Sequence, residues 1–435
     1  MTAAGFDASG CGAALAAGSA AVTLAHGRAL LDVARVGVTE ISEELGGLSP
    51  AKLHAAELAA DALHRALGGA ARAGASMPPH PDRVLVALSG GVDSAVAALL
   101  CARAGAEVVG VTLELWSDPD HDPERSCCSA SAVRSARAVA HGMGLPHFTL
   151  DLRAEFRAGV VDPYLAAHAA GSTPNPCVRC NGSVRLDAML DFGEALGAAA
   201  LATGHYARVE ERDHAAGPVL RAGADAHKDQ SYMLAALDPR ALSRMCFPLG
   251  EKTKPEVREL AAAAGLPVAA RADSQDLCFL AGTDRARFLR RHGGRAPRDG
   301  EVVDRRGRVL GRHRGHEGYT VGQRRGIGLG GPEPLYVLAT DAAANRVVVG
   351  PRAELRTSRV RVERARLLRA ADRVDGVRLR YRSRTLPARV AGHPDAGPHE
   401  RLELELGVPA DGAAPGQLAC LMDGDMVVGW GTIAR

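Results

Sequence analysis

Apolar positions along this chain fall into three regimes. Over residues 1–75 alanine dominates, and Leu53, Leu58, Leu63 and Leu67 recur near the 3.6-residue period, which predicts helix. Met77-Pro78-Pro79-His80-Pro81 predicts a break and a linker, because proline lacks an N–H and fixes its own backbone. From Arg83 short apolar runs alternate with helical ones. Val84 to Leu88, Glu107 to Thr112, His147 to Leu150 and Ala199 to Thr203 read as strands; Ser94 to Ala104 and Ser129 to Met143 read as helices. That order predicts an α/β fold with a doubly wound parallel sheet, whose ligand site lies at the C-terminal ends of the strands. Past residue 281 short β-like runs (Tyr336-Val337-Leu338, Arg346 to Val349, Val377 to Tyr381, Leu402 to Leu406, Met426 to Trp430) stand among glycines and arginines. They predict a small C-terminal β-barrel or sandwich. The expected domains are residues 1–77, 78–280, 281–345 and 346–435.

Composition narrows the classes. A chain of 435 residues is too long for one core, and 46% hydrophobic with 24% charged residues is ordinary globular usage. The longest apolar stretch, Cys11 to Ala25, is mostly Ala and Gly with no basic run before it, so neither a signal peptide nor a membrane span is expected. Nine cysteines, including the vicinal Cys127 and Cys128, fit a reduced cytoplasmic protein better than a disulfide framework. The net charge of +3 conceals a split. Residues 281–435 hold 29 Arg against 18 acidic residues, a net of +11, while residues 1–280 carry −8. The basic third predicts a polyanionic partner such as nucleic acid; an Arg-rich solvated face is the alternative.

The first strand runs through Ser89-Gly90-Gly91-Val92-Asp93-Ser94 into a helix. Two glycines permit a tight turn close to a phosphate, and the helix start offers free N–H groups. Ser94 can add a hydroxyl, and Asp93 can cap the helix or help hold Mg²⁺. Neither a Walker loop nor the dinucleotide fingerprint is present. The string resembles the loop of the ATP pyrophosphatases (adenine nucleotide alpha hydrolase-like), which split ATP into AMP and pyrophosphate while adenylating an acceptor oxygen.

In Thr173-Pro174-Asn175-Pro176-Cys177-Val178-Arg179-Cys180-Asn181 two prolines stiffen the approach to a C-x-x-C pair, which predicts a rigid loop. No second C-x-x-C completes a zinc site, and the Pro-Asn-Pro lead-in argues against a thioredoxin-like pair opening a helix. Cys278 stands in Asp273-Ser274-Gln275-Asp276-Leu277-Cys278-Phe279. Cys177, Cys180 and Cys278 suit sulfur transfer or ligation of an iron–sulfur cluster with one open iron; three unrelated buried thiols are the plain alternative.

With Ala202-Thr203-Gly204-His205-Tyr206, Lys228-Asp229-Gln230-Ser231-Tyr232 and His316-Glu317-Gly318-Tyr319-Thr320-Val321-Gly322-Gln323-Arg324 added, residues 82–435 resemble the tRNA-specific 2-thiouridylase (MnmA) family throughout. The resemblance implies ATP binding by Ala87, Leu88, Ser89, Gly90, Gly91, Val92, Asp93, Ser94, Leu113 and Gly204, with Mg²⁺. It implies tRNA contacts by Asn175, Pro176, Cys177, His205, Lys228, Asp229, Gln230, Arg380, Tyr381 and Gln417. Cys180 matches the family's nucleophile and Cys278 its persulfide carrier, with a Cys180–Cys278 disulfide forming in the cycle. The implied product is 2-thiouridine at the wobble position, with a cysteine desulfurase or sulfur-relay protein as donor.

Cys177 departs from that pattern, since many members have aspartate there. It completes a three-cysteine set (Cys177, Cys180, Cys278) suited to a 4Fe–4S cluster, so cluster-bound sulfide and plain persulfide both stay open. Cys127-Cys128 is an accessory sulfur site or structural. Gly10-Cys11-Gly12-Ala13 and Leu48-Ser49-Pro50-Ala51-Lys52-Leu53-His54 resemble part of the NifU/IscU iron–sulfur scaffolds. Cys11 and His54 match ligand positions, but Ala55 replaces an expected cysteine and the segment with the first ligand is missing. A docking module for the sulfur donor, or a spacer, is the expectation. The rivals are an amidating synthetase of the same loop class, against which the basic C-terminal third counts, and a non-catalytic iron–sulfur assembly factor, against which the intact loop counts.

Overall fold

The computed structural model describes residues 1, 3–74, 76–118, 129–211, 217–273, 277–280, 283–294, 298–330 and 333–435. Cys127, Cys128 and Ser274-Gln275-Asp276 lie outside them. Two compact units are formed: Met1–Ala154, Asp187–Tyr206 and Arg244–Ala281 make one, and Glu155–Leu186, Ala207–Ser243 and Gly282–Arg435 the other. Among the described residues no helix is long and apolar enough to cross a membrane.

The first unit is a parallel five-stranded sheet in the order His147–Asp151, Glu107–Glu114, His80–Ala87, Ala198–Ala202, Met245–Cys246. Its central strands are almost wholly buried, with Leu85, Val86 and Val109 fully enclosed, as expected for a sheet covered on both faces. The strand order reverses beside His80–Ala87, whose C-terminal end carries the glycine turn and the helix Val92–Arg103. The expected doubly wound sheet is therefore present, and its switch point is where ligands bind in such sheets. Met245–Cys246, only two residues long, escaped the sequence reading. The proline-rich segment differs from expectation. Met77 and His80 donate backbone hydrogen bonds to Ala195 and Gly197, and a strand begins at His80. Pro81 is tolerated because the ladder to Ala198–Ala202 shifts register between His80 and Val84, so no N–H is demanded there.

Residues 1–74 are built into this unit rather than tethered to it. Helices Gly12–Ala25, Val38–Glu44 and Leu53–Arg72 pack through Ala17, Ala20, Ile41, Ala56 and Ala60. The leucines whose spacing predicts this helix do not all face inward, since Leu58 is 60% exposed. The inward stripe of Leu53–Arg72 is Ala56, Ala60, His64, Leu67 and Ala71, whose alanines let the helices approach. The same helix covers the edge strand His147–Asp151. His64 ring nitrogens lie 2.7 Å from the His147 carbonyl oxygen and 2.9 Å from that of Val36, and the His147 N–H donates to the Ala34 carbonyl at 2.9 Å. Arg65 forms a bidentate pair with Glu114 at 2.9 and 2.6 Å. Asp61 and Arg137, 10% and 4% exposed, lie 2.6 Å apart as an ion pair whose angles fall outside hydrogen-bond geometry.

The second unit holds two β-structures. Tyr336–Asp341, Arg346–Gly350, Gly300–Val303 and Val309–His313 make a four-stranded sheet around Val302, Ile327, Val337, Val347 and Val349. Six strands then close a barrel, because Arg356–Leu367 pairs with both Gly397–Asp411 and Met426–Ile433. The hairpin Ala207–Glu210 and Val219–Ala222 joins its outside at Met426. Valines and leucines such as Val362, Leu404, Leu421 and Val428 fill the interior. The run Val377 to Tyr381 is a strand only over Gly376–Arg378; Arg380 and Tyr381 lie in the turn that follows.

Candidate active site

The glycine turn of the first unit has the geometry of a phosphate loop. Gly90 sits at φ +72°, and a Cβ there would come within 2.7 Å of the Ala132 carbonyl oxygen, so only glycine makes this turn without strain. Gly91 precedes helix Val92–Arg103, whose first N–H groups are left open toward the turn. The Ser94 hydroxyl folds back, donating to the Gly91 carbonyl at 3.0 Å and accepting from the Ser89 N–H at 3.1 Å, which fixes the loop from within. Gly204, just past the strand Ala198–Ala202, lies against the same helix start. A Cβ on it would stand 2.7 Å from both the Asp93 carbonyl carbon and the Ser94 nitrogen. Leu113 is buried near the end of the neighbouring strand. Ala87 through Ser94, Leu113 and Gly204 are thus all in this unit, at the C-terminal end of its sheet.

Asp93 does not cap its helix. Its carboxylate accepts from Lys254 Nζ at 2.7 and 2.8 Å and from the Tyr206 hydroxyl at 2.9 Å. Lys254, buried at the start of helix Lys254–Ala263, also pairs with Asp273 at 2.8 Å, and Arg258 pairs with Asp273 at 2.9 Å. Arg271 donates to the Gly90 carbonyl at 2.8 Å. Lys254, Arg258 and Arg271 were missed by the sequence reading; the only signal was the rarity of lysine, four residues against 49 arginines. His205 is buried, with Nδ1 2.7 Å from the Thr203 hydroxyl.

In the second unit the C-x-x-C segment corrects its expectation. It is not a loop but the short helix Pro176–Cys180, because Asn175 caps it, accepting from the Cys177 and Val178 N–H groups at 3.1 and 3.3 Å. Proline at the first helical position loses only an N–H that has no intrahelical partner. Cys180 is buried and Cys177 half-buried, and Cys278 in the first unit is half-buried too. Gln417 donates to the Thr173 carbonyl at 2.6 Å and the Thr173 N–H donates to Pro415 at 2.8 Å, so Gln417 anchors the approach to the helix.

Asp229 is enclosed rather than exposed for contact. It accepts from the Gly223 and Ser231 N–H groups and the Ser231 hydroxyl, and it pairs with Arg378. Lys228 and Gln230 flank it, half-buried, while Arg380 is exposed. Tyr381 is half-buried, 6.3 Å from the Tyr232 ring, with the Arg382 guanidinium 5.2 Å from its own ring centre. A cavity of about 980 Å³ in the same unit is bordered by Asn175, Pro176 and Arg179 on one side and by Arg364, Arg366, Trp430 and Arg435 on the other. These barrel residues were also missed.

Four family models match the chain: a NifU-like N terminal domain over residues 1–71, a tRNA methyl transferase HUP domain over 82–282, a tRNA methyl transferase PRC-barrel domain over 286–351, and an aminomethyltransferase beta-barrel domain over 357–433. The bifunctional protein NifU/MnmA of Rubrobacter xylanophilus is 45% identical over 99% of this chain and 88% of its own length. The tRNA-specific 2-thiouridylase MnmA of Chloroflexus aurantiacus is 46% identical over 81% of this chain and 98% of its own. This chain belongs to the MnmA family, with a NifU-like N-terminal domain.

Among the described residues no group of three or more His, Cys, Asp or Glu side chains is arranged to hold a metal ion. Cys177 and Cys180 belong to one unit and Cys278 to the other. In the NifU-like domain Cys11 is exposed at the start of helix Gly12–Ala25, where the Ala14 and Ala13 N–H groups hold its thiol below the ordinary value. His54 is exposed, with Nδ1 2.9 Å from the Ala51 carbonyl, and Ala55 is buried in the helical core.

Proposed function

We propose that this chain is an ATP-dependent sulfurtransferase that converts the C2 carbonyl of the wobble uridine of tRNA into a thiocarbonyl, releasing AMP and pyrophosphate. The observation that carries this reading is the loop Ser89–Ser94, closed by Gly204 at the switch point of a parallel sheet, in a chain whose family acts on tRNA. A uridine C2 carbonyl is a weak electrophile. Attack of its oxygen on the α-phosphorus of ATP expels pyrophosphate and turns that oxygen into the leaving group of AMP. The loop N–H groups and the start of helix Val92–Arg103 bind the phosphates, and Lys254 and Tyr206 hold Asp93 so that the helix start keeps its position.

Mg²⁺ enters as the counter-ion of the ATP phosphates, retaining waters as it does elsewhere, since the loop offers N–H donors and Asp93 is engaged by Lys254. The terminal sulfur of a persulfide on Cys278 attacks the adenylated C2 and AMP departs with the former oxygen. The Cys180 thiolate then attacks the Cys278 sulfur, breaking its bond to the transferred sulfur and forming a Cys180–Cys278 disulfide that a thiol reductant reopens. The persulfide comes from a cysteine desulfurase or a sulfur-relay protein.

The test is incubation of anaerobically purified protein with ATP, Mg²⁺, unmodified tRNA, a thiol reductant, and a cysteine desulfurase with cysteine as sulfur donor, followed by nucleoside mass analysis. A 2-thiouridine peak that requires ATP is expected. AMP release with no thiolated nucleoside under any donor would overturn the assignment.

A further inference from the structure

Arg364 breaks the pattern of the barrel. Its φ is +50°, a left-handed conformation that strains any side chain other than glycine and, less so, asparagine. The cause is a bulge. Along Arg356–Leu367, Val360 and Val362 point into the barrel, and so do Ala365 and Leu367, which shifts the inward set by one residue between them. The pairing with Met426–Ile433 records the same extra residue: Glu363 faces Thr432, and the next pair is Arg366 with Trp430. Bulges of this kind ordinarily put glycine at the left-handed position. Here arginine occupies it, and strain held at one position is a mark of function.

The bulge turns Arg364 to the 980 Å³ cavity that Asn175, Pro176 and Arg179 also border. Around that cavity Arg366 is paired with Asp238 at 3.4 Å, and Arg179 donates to the Gly159 carbonyl. Arg364, exposed, has no hydrogen-bond or ion-pair partner among the described residues. A guanidinium with no partner, held in a strained backbone at the border of this cavity, matches an anionic ligand. The volume exceeds a single nucleotide.

We infer that Arg364 binds a backbone phosphate of the RNA substrate next to the Asn175-Pro176 helix start, and that the bulge exists to present it. This rests on the proposed action on tRNA. The decisive variant is Arg364→Gly, because it relieves the strain while removing the cation. If the side chain were structural, affinity and stability would fall together. Instead, Tm is expected to hold or rise, while the Kd of the full chain for an unmodified tRNA transcript rises roughly tenfold. The slope of log K against log salt is expected to fall by about one phosphate contact.

Arg364→Lys, which retains charge and strain but not the forked donor, is expected to fall between the two. The KM for ATP stays at the wild-type value in both. Unchanged tRNA affinity and salt slope in Arg364→Gly, with wild-type protein binding tRNA normally, would overturn the inference alone. Wild-type protein that neither binds nor thiolates tRNA would overturn the functional reading and this inference with it.

Discussion

Replacing Asp61 by asparagine should cost far more than a surface ion pair warrants. The carboxylate lies 2.6 Å from Arg137, and both side chains are nearly out of solvent. Asparagine preserves shape, so the loss is electrostatic: a guanidinium stays buried without its counter-charge. It sits among imidazoles, for the Arg137 charge already opposes protonation of His64, His141 and His147. Breaking a buried pair from one side costs about 3–5 kcal/mol, whereas an exposed pair is worth about 0–1 kcal/mol. In a unit of this size that is roughly a 10 °C fall in Tm. Replacing both partners, as in Asp61→Leu with Arg137→Met, removes the unpaired charge and should return stability to within about 1 kcal/mol of wild type. Urea unfolding followed by circular dichroism, with calorimetry to resolve the transition of the first unit, measures both variants. An Asp61→Asn protein as stable as wild type would refute the reasoning, as would a double variant no better than the single one.

The same interface should make stability depend on pH. Burial, with His141 and Arg137 nearby, holds His64 down to about 3, and burial holds the enclosed His147 well below its ordinary value, so both are neutral when folded. Unfolded imidazoles take up protons below about 6.5, so stability falls as pH drops through that value, by about 1.4 kcal/mol per pH unit for each histidine. Unfolding at pH 7.5 and 5.5 should differ by about 3 kcal/mol, and a flat profile would contradict the burial. Asn175→Ala removes the cap over the Cys177 and Val178 N–H groups; a loss of about 1 kcal/mol and a sharp fall in thiouridine yield are expected, whereas normal yield would show the helix start to be immaterial. Gly204→Ala drives a Cβ into the backbone of Asp93 and Ser94, at a cost of about 1–3 kcal/mol, and should raise the KM for ATP at least several-fold. Gly69→Ala, with open space around it on an exposed helix face, is the control and should leave ATP binding unchanged.

The nucleotide loop was legible because every signal for it is local: an apolar run, two glycines and a helix start within a dozen residues. The barrel was only half legible. Of its two longest strands, Arg356–Leu367 went unread and Gly397–Asp411 was read only over Leu402 to Leu406. Strict alternation along Arg356–Leu367 is broken by the bulge at Arg364, and arginines on the outer face mask the apolar set. The thiol helix failed for a related reason. Prolines were weighed as breakers, although at the first helical position proline is favoured and Asn175 supplies the cap.

Chemistry carried by contiguous residues is determined by the sequence alone. It sets the phosphate loop, the C-x-x-C pair, the parallel order of strands and the basic C-terminal third. What distant residues do together was decided by the tertiary structure. Lys254 neutralises Asp93 across 161 positions, and Arg137 finds Asp61 only once the N-terminal helices cover the sheet edge. Leu58 faces solvent while alanines face the core, because close helix packing rewards small side chains rather than the most apolar ones. The physical reason is common to all three. Burial and pairing energies depend on which surfaces meet, and no local period or propensity encodes that meeting.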